Sequence, residues 1–360
     1  MLKKLLKAIA ILLAVVLVIA LGYLAYVFIS YHRLPDADAE VEMTGETART
    51  GQRYTIATWN LGFGAYSDDY GFFMDGGTES WAFSKDAVYQ NIGLATDKLK
   101  ALAPDLMILQ ELDFDATRSY HVDEVQLVKD AFADYQSYFA QNYDSPFLFY
   151  PFNQPHGASK AGIFTLSTFG FDRAARRGLP IETGFTKFLD LDRCYSKVWI
   201  PVEGGGHLVL YNLHLSAYTS DGTIAQDQLE LLCADMLSEY QAGNYVIGGG
   251  DFNKDLLGDS AAIFGVPADP SYTWNQPIPE GTIPEGLTLV SSLDEADPIP
   301  SNRVADGPYV PGKTFVSTLD GFIVSDNVTV HACRVVDNGF KCSDHNPVVM
   351  EFELTEETNS

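Results

Sequence analysis

The chain has 360 residues, of which 48 are acidic and 23 are Lys or Arg, so its formal net charge is −25. Hydrophobic residues make up 46% of it, enough for a sizeable core, which excludes an intrinsically disordered chain. Four cysteines in this length exclude a disulfide scaffold. A charge this negative repels polyanions at long range and argues against broad, shape-blind binding of nucleic acid.

The first thirty residues predict a membrane anchor. Residues 8–30 contain no charged side chain, and as a helix they would be about 35 Å long. That length is enough to cross a hydrocarbon core of about 30 Å. Lys3, Lys4 and Lys7 precede the run, so the positive-inside bias keeps the N-terminus in the cytoplasm. We therefore expect a single-pass protein of the cell membrane whose main domain is extracytoplasmic.

A cleaved signal peptide is the alternative interpretation of the same segment. A signal peptide normally has an apolar core of about 7–15 residues, followed by a small-residue cleavage site. Here the apolar run is longer, and residues 26–33 (YVFISYHR) make a poor cleavage site. We therefore favour the uncleaved anchor.

Residues 1–33 hold four basic residues and no acidic one, so the net charge of residues 34–360 is −29.

The chain changes character twice after the predicted anchor. Residues 34–50 are polar and acidic without an apolar period, which predicts a tether. Residues 51–356 combine short apolar runs with helical stretches, which predicts one large α/β domain, the candidate catalytic domain. Within it, residues 257–315 are rich in Pro, Gly and acidic residues and predict a long surface insertion.

The elements of this domain are predicted from apolar runs and from helical periodicity. In chain order, strands are expected at residues 54–58, 106–109, 163–166, 195–202, 208–213, 245–248, 321–324 and 348–354. Helices are expected at residues 85–102, 122–133 and 224–242. Many strands with a few interspersed helices predict a layered α/β sandwich and not a simple βαβ wind.

Polar side chains stand at the ends of six of these predicted strands. They are Asn60, Glu111, His214, Asp251 with Asn253, Asp320, and the pair Asp344 and His345. A single Asn or Asp at a strand end is ordinary turn chemistry, but six such positions are more than turns explain. Carboxylate and amide oxygens that converge on one cleft are the ligands Mg²⁺ prefers, and histidines beside carboxylates act as general acid or base. The set predicts metal-assisted hydrolysis of a phosphodiester.

The short motifs that contain these residues resemble the endonuclease/exonuclease/phosphatase superfamily. In order, they are Trp59-Asn60, Gln110-Glu111, Asn212-Leu213-His214-Leu215, Gly250-Asp251-Phe252-Asn253, Leu319-Asp320 and Ser343-Asp344-His345-Asn346-Pro347. That family includes pancreatic-type deoxyribonucleases, abasic-site endonucleases, inositol-polyphosphate phosphatases and neutral sphingomyelinases. The resemblance covers residues 52–354. It implies a four-layered α/β sandwich, in which helices flank two packed, mostly antiparallel sheets and the active site lies at one end of the sheets.

The resemblance implies a metal site. Glu111 matches the main Mg²⁺ ligand of the family, and Asn60 and Asp344 match positions that bind this metal directly or through water. The implied cofactor is Mg²⁺, with Mn²⁺ or another divalent cation as a substitute. Arg118 follows Glu111 closely and is a candidate contact to a substrate phosphate, with a solvated surface arginine as the alternative.

The resemblance also implies five catalytic roles. Asp251 matches the acid that orients or deprotonates the attacking water, and Asn253 matches the amide that supports it. His345 matches the histidine beside the scissile phosphate, and Asp320 its carboxylate partner. His214 matches a second active-site histidine, which deoxyribonucleases and sphingomyelinases have and abasic-site enzymes lack. It therefore points away from an abasic-site role.

Together these residues predict a membrane-anchored phosphodiesterase or phosphatase that uses in-line attack of water. The expected partners are the membrane and a phosphoester substrate, and no protein partner is implied. The anchor favours a phospholipid or sphingomyelin-like head group, with a nucleotide or short extracellular DNA or RNA as the alternative. A catalytically inactive binding module on the same fold is the remaining alternative. An exported domain also permits a disulfide between Cys333 and Cys342.

Overall fold

The computed structural model describes residues 1–181, 192–217, 223–267, 272, 274–292 and 298–355. In these ranges two β-sheets pack face to face, and helices cover their outer faces. The helices are α1 (Leu2–Ser30), α2 (Lys85–Leu102), α3 (Glu124–Ala131), α4 (Thr223–Gln241) and α5 (Ser260–Phe264). The predicted four-layered α/β sandwich is confirmed.

Within the described ranges the strands form two large sheets and one short pair. The seven-stranded sheet has the order β1 (Ala37–Glu40), β6 (Arg173–Gly178), β7 (Cys194–Pro201), β8 (His207–His214), β9 (Tyr245–Asp251), β13 (Asp320–Ser325) and β10 (Leu287–Val290). The six-stranded sheet has the order β14 (Val328–Val335), β15 (Val348–Leu354), β2 (Arg53–Asn60), β3 (Leu106–Ala116), β5 (Ser159–Ser167) and β4 (Gln136–Asp144). The short pair is β11 (Asn302–Arg303) with β12 (Val316–Ser317).

The core has three layers because the central strands are covered on both faces. Successive side chains of a strand point to opposite faces of the sheet. Ile56 and Ile108 therefore lie between the two sheets, where Phe322 packs beside them. Their neighbours Ala57 and Met107 face the layer that contains α2 and α3. A strand buried on both sides reads as a near-continuous apolar run, which is why these strands were predictable.

One parallel pair in each sheet brings the polar strand ends together. β2 runs parallel to β3, with Asn60 opposite Gln110, and β8 runs parallel to β9, with His214 opposite Asp251. The carboxyl ends of parallel strands meet at the same edge of a sheet. β13 is antiparallel to β9 and begins at Asp320, which also lies opposite Asp251. Strand ends that are far apart in sequence therefore share one end of the sandwich.

Every predicted strand and helix of the domain coincides with an element of the structure, with small differences at the ends. The predicted membrane span coincides with α1, which has the length and composition of a membrane anchor or a signal sequence. The strands that sequence did not predict include β4, β6 and β14. β6 (RAARRG) has no apolar pattern, because Arg176 is buried through hydrogen bonds to the backbone carbonyls of Gln141 and Asp192.

The segment 34–50 is not the free tether that its composition predicts. Its strand β1 pairs antiparallel with β6, and Ala48 is fully buried. An edge strand pairs through its backbone, so an acidic sequence can form one beside a basic strand. Asp38 does so with an ion pair of 2.6 Å to Arg177. This segment is therefore part of the domain.

The segment 257–315 is more than the surface insertion that its composition predicts. It contains α5, and its strand β10 pairs antiparallel with β13 at the edge of the seven-stranded sheet. Asn302 and Arg303 of β11 are buried. Residues 268–271, 273 and 293–297 of this segment lie outside the described ranges.

The cysteines are free thiols, so Cys333 and Cys342 do not form the disulfide that an exported domain permits. Cys342 is buried and its sulfur accepts a hydrogen bond of 3.2 Å from Asn338 Nδ2. Burial raises the pKa of the Cys342 thiol to about 11. The thiol is therefore protonated at neutral pH and packs as a small apolar side chain.

The side chain of Asn212 makes hydrogen bonds from one sheet to the other. It lies on β8 of one sheet, fully buried, and its Nδ2 donates to the carbonyls of Leu109 (3.1 Å) and Phe164 (3.2 Å) on the other sheet. Its Oδ1 accepts a hydrogen bond of 2.8 Å from Gln110 Nε2. One amide thus satisfies three buried polar groups at the end of the sandwich where the strand ends meet.

Replacing Asn212 by alanine is expected to lower the free energy of unfolding by about 1–3 kcal/mol, because buried polar groups lose their partner. Urea unfolding of the full chain in detergent measures the change. Asn153→Ala, at an exposed position, is the control and is expected to change the value by less than about 0.5 kcal/mol. A loss for Asn212→Ala that is no larger than that of the control would contradict this role.

Candidate active site

The polar strand ends meet in one cavity of about 320 Å³. Seven of the nine site residues predicted from sequence line it: Glu111, Arg118, His214, Asp251, Asn253, Asp344 and His345. The other two, Asn60 and Asp320, are buried directly behind this wall, where they hydrogen-bond to residues that line the cavity. The structure therefore brings all nine together.

Asp251 lies at the centre of the cluster. Its Oδ2 accepts a hydrogen bond of 3.0 Å from Asn60 Nδ2 and lies 3.6 Å from the Nε2 atoms of both His214 and His345. The backbone N–H of Asn253 donates to Oδ1 at 2.9 Å. Burial raises the pKa of Asp251 to about 6, and the nearby charge of Asp320 contributes to the increase. A carboxylate with these contacts suits a general base near neutral pH.

Two of the site residues, Glu111 and Asn253, have a left-handed backbone conformation that orients their side chains. Glu111 lies where the pairing of β3 with β5 shifts register between Leu109 and Leu112, and its φ of 54° is in the left-handed region. Asn253 also has a left-handed backbone, with a φ of 46°. A bulge turns a strand residue out of the regular alternation, and such strain is often found at functional sites. Here it directs the Glu111 carboxylate to the cavity.

The turn before β15 is held against the end of β2. Trp59 Nε1 donates a hydrogen bond of 2.8 Å to the carbonyl of His345, and Ser343 Oγ donates one of 2.6 Å to the carbonyl of Asn60. Ser343 Oγ also accepts from the backbone N–H of His345 at 3.0 Å. These contacts explain why the Ser-Asp-His sequence lies beside the Trp-Asn pair, although some 280 residues separate them.

His345 is held by a carboxylate and carries a positive charge. Its Nδ1 lies 2.8 Å from Asp320 Oδ2, which also accepts a hydrogen bond of 2.7 Å from Ser301 Oγ. Burial alone would lower the pKa of His345, but the charges of Asp320 and Asp251 raise it to about 10. The ring is therefore an imidazolium at neutral pH, with its Nε2 proton available at the cavity.

His214, in contrast, is neutral. It is buried, and burial together with the positive charge of Arg193 lowers its pKa well below the usual value. Its Nε2 lies 3.7 Å from Glu111 Oε1. Two histidines whose environments drive their pKa values apart can take different roles in one reaction. His214 is the neutral one and His345 the charged one.

Asn302 contacts the charged histidine. Its side-chain amide lies 3.0 Å from His345 Nε2. With the amide nitrogen placed there, Asn302 Oδ1 is buried without a hydrogen-bond partner among the described residues. The same nitrogen donates to the carbonyl of Asp344 at 3.4 Å, so Asn302 bridges the Asp344 backbone and the His345 ring.

Glu111 and Asp344 supply carboxylate oxygen atoms suited to a hard cation. The Asn60 amide lies beside them: its Nδ2 donates to Glu111 Oε1 at 3.1 Å, and its Oδ1 accepts from the backbone N–H of Gly62 at 3.0 Å. Burial raises the pKa of Asp344 to about 7, with a further contribution from the charge of Glu111. No group of three His, Cys, Asp or Glu side chains in the described ranges is already arranged around one point as metal ligands. The oxygen-only donor set with space beside it fits Mg²⁺, which keeps several waters.

Arg118 is a fixed positive charge on the wall of the cavity. Its Nε and Nη2 donate to the two carboxylate oxygens of Asp113 at 3.0 and 2.8 Å, and its guanidinium lies 3.9 Å from the centre of the Phe63 ring. It is 8% exposed, so the alternative of a solvated surface arginine is wrong. The Asp113 backbone N–H is in turn held by Glu124 Oε2 at 3.0 Å.

Sequence reasoning missed two further arginines of the cavity. Arg193 precedes β7, and its Nη1 donates to the carbonyl of His214 at 3.3 Å. Arg303, on β11, is 1% exposed, and its Nη2 donates to the carbonyls of Ser67 and Tyr70. Neither lies in a motif, so no sequence signal pointed to them. With Arg118 they place three guanidinium groups around a cavity that four carboxylate residues also line.

No family model and no curated protein matches the chain, but solved structures of similar fold do. An endonuclease/exonuclease/phosphatase from Beutenbergia cavernae is similar, with a TM-score of 0.59, 20% identity, and coverage of 86% of this chain and 73% of that chain. ANGEL2, a 2′,3′-cyclic phosphatase in complex with adenosine-2′,3′-vanadate, is similar with a TM-score of 0.56 and 14% identity, and the match covers 90% of this chain and 100% of that chain. The human Nocturnin catalytic domain is similar with a TM-score of 0.53 and 17% identity, and the match covers 89% of this chain and 98% of that chain. The chain therefore has the endonuclease/exonuclease/phosphatase fold, as its motifs implied.

Proposed function

We propose that this chain is a metal-dependent phosphoester hydrolase, anchored in the cell membrane by α1 with its catalytic domain outside the cytoplasm. The observation that carries the proposal is the composition of the cavity: carboxylates beside a charged and a neutral histidine, surrounded by three arginines. Carboxylates activate water, and the cationic groups favour a substrate with negative charge on phosphorus. A 2′,3′-cyclic phosphatase with the same fold supports this class of substrate.

The attacking water is held by Asp251. Its carboxylate accepts the proton as the water oxygen bonds to phosphorus, and the Asn253 side chain, which donates to the carbonyl of Leu215 at 2.8 Å, borders this position. The ester oxygen leaves from the opposite side and takes a proton from solvent. Asp251 suits this role because its hydrogen bonds from Asn60 and Asn253 fix its orientation.

His345 stabilises the charge that develops on the phosphoryl oxygens. Asp320 Oδ2 accepts a hydrogen bond from its Nδ1–H and its negative charge keeps the ring protonated, so Nε2–H can donate into the cavity. Glu111, Asn60 and Asp344 would hold a divalent cation, which supplies Lewis-acid stabilisation of the same charge when it is bound. Neutral His214 borders both Glu111 and Asp251.

The substrate class follows from the anchor and the charge. A catalytic domain tied to a bilayer meets lipid head groups at high effective concentration. Its charge of −29 repels long polyanions, which disfavours extended nucleic acid. We therefore favour a phospholipid or sphingomyelin-like head group. A nucleotide is the second candidate, because ANGEL2, with the same fold, is seen in complex with an adenosine-2′,3′-vanadate.

Hydrolysis of bis-p-nitrophenyl phosphate by the full chain in detergent is expected to stop on addition of EDTA and to return with Mg²⁺ or Mn²⁺. Glu111→Gln is expected to raise the Mg²⁺ concentration for half-maximal activity by about tenfold or more, because it removes the charged ligand. Glu203→Gln, on the surface, is the matched control. Activity that survives EDTA, or an unchanged Mg²⁺ requirement in Glu111→Gln, would contradict the metal assignment.

Asp320→Asn is expected to lower kcat by roughly 10²–10⁴-fold with little change in KM, because an amide cannot keep the His345 ring charged and oriented. Steady-state kinetics on the same substrate measure both constants. The exposed Asp326, directly after the far end of the same strand, provides the control Asp326→Asn. If kcat of Asp320→Asn stays close to that of the control while both variants unfold at the same temperature, the assignment of this pair fails.

The orientation of the anchor is tested with tags at the two ends of the chain. A protease added to the outside of intact cells is expected to remove a tag placed after Ser360 and to leave one placed before Met1. Lys3, Lys4 and Lys7 give the physical reason, because basic residues beside a span are retained on the cytoplasmic side. Protection of the C-terminal tag in intact cells would place the domain in the cytoplasm.

A further inference from the structure

A cluster of exposed aromatic side chains lies in residues 147–152 (FLFYPF), which we call the aromatic segment. Phe149 is 50% exposed, Tyr150 63% and Phe152 85%. Large rings that stand in water next to one another mark a surface that meets something apolar. The segment lies between β4 and β5 and takes no part in the core clusters of the described residues.

The aromatic segment contacts the predicted membrane helix directly. Tyr23 and Tyr26 of α1 bind the backbone of Phe147: the Tyr23 hydroxyl donates to its carbonyl at 3.2 Å, and the Tyr26 hydroxyl accepts from its N–H at 3.0 Å. The rings of Tyr23 and Phe149 pack edge to face with their centres 5.0 Å apart. These contacts fix the height of the segment along the helix.

That height corresponds to the boundary of the bilayer. Tyr23 lies roughly 22 Å along the helix from Ala8, the first residue of the uncharged run, against a hydrocarbon thickness of about 30 Å. Tyrosines near the end of a span occupy the interfacial belt, where the ring lies among lipid chains and the hydroxyl meets polar groups. On the same count Tyr26 lies roughly 27 Å along the helix. Phe147, bound to Tyr26, therefore lies near the outer edge of the hydrocarbon core, and Phe149, packed on Tyr23, lies roughly 8 Å inside that edge.

The same segment reaches the rim of the cavity. Tyr150 packs on Phe73 with ring centres 5.8 Å apart, and Phe73 packs on His156 at 5.9 Å. His156 and its neighbour Phe72 line the cavity. The backbone N–H of His156 also donates to the carbonyl of Tyr150 at 3.2 Å. Ring contacts therefore lead from α1 to Phe149 and from Tyr150 to the cavity, and the backbone joins these two neighbouring residues.

We infer that the aromatic segment is a second membrane-contact surface, inserted beside α1 at the boundary between the lipid head groups and the acyl chains, and that it holds the rim of the catalytic cavity against the bilayer. The occupant is the bilayer and not a protein, because the segment is tied to the span at the depth of its interfacial tyrosines. An acidic domain gains nothing from the charge of anionic lipids, so an apolar contact is what can hold it at the surface. Resting on the proposed function, this assigns the substrate to phosphoesters presented at the membrane surface.

The contact is tested with the full chain reconstituted in phosphatidylcholine vesicles that contain brominated lipid. Phe152→Trp places an extra indole on the segment, and its emission, after subtraction of the unsubstituted chain, is expected to be largely quenched. Thr329→Trp, at an exposed position on β14, the sheet edge farthest from β4, is the control and is expected to keep its emission. If the indole at position 152 is quenched no more than the control, because solvent or a second protein covers the segment, the inference is overturned.

The link to substrate is tested with the double variant Phe149→Ser and Phe152→Ser. It is expected to hydrolyse sphingomyelin in phosphatidylcholine vesicles at least about tenfold more slowly, with unchanged hydrolysis of soluble bis-p-nitrophenyl phosphate. Equal rates on vesicles for the double variant and the unsubstituted chain would overturn the substrate assignment. An equal loss on both substrates would reveal damage to the fold, and the bromolipid result then decides the contact alone. If the unsubstituted chain hydrolyses neither substrate, the proposed function fails, while the quenching result still decides the membrane contact.

Discussion

The cavity that we propose as the active site depends on how the two sheets are joined at one end. A buried hydrogen bond of 2.8 Å from Gln110 Nε2 to Asn212 Oδ1 links β3 of one sheet to β8 of the other. Gln110 directly precedes Glu111, and Asn212 lies two residues before His214. The bond therefore sets the register of the two strand ends, which leaves Glu111 Oε1 and His214 Nε2 3.7 Å apart. Neither sheet alone holds enough polar groups to form the site.

The net charge of the chain and the charge of its cavity have opposite consequences for substrates. The surface of an acidic protein repels large polyanions, but the repulsion is long-range and screened by salt. The cavity holds Arg118, Arg193 and Arg303 at short range, together with the imidazolium of His345. These groups favour one phosphate group that enters the cavity. In the function that we propose, the acidity of the surface disfavours large polyanionic substrates, and the cavity favours a group with negative charge on phosphorus.

The sequence predicted the central strands and eight of the nine candidate site residues because polar side chains at either end of a buried strand are conspicuous against an apolar run. The ninth, Arg118, was a candidate only because it closely follows Glu111. The sequence did not predict Asn302 and Arg303, since they reach the cavity from a Pro- and Gly-rich segment without periodicity, where only the long-range pairing of β11 with β12 fixes them. Arg176 shows the same limit for the fold. It is buried through hydrogen bonds to four backbone carbonyls that belong to other parts of the chain, so its strand β6 has no apolar pattern. The order of strands within each sheet likewise depends on long-range pairing.

The central claim is that side chains from the ends of two sheets form one metal-dependent hydrolytic centre. The most direct test is a crystal structure of the full chain grown with Mn²⁺, whose anomalous scattering locates the ion independently of the rest of the density. The account predicts an anomalous peak beside the Glu111 carboxylate, within reach of Asn60 and Asp344, with waters completing the coordination. No peak at Glu111 at saturating Mn²⁺, or a peak only on the acidic surface, would contradict it.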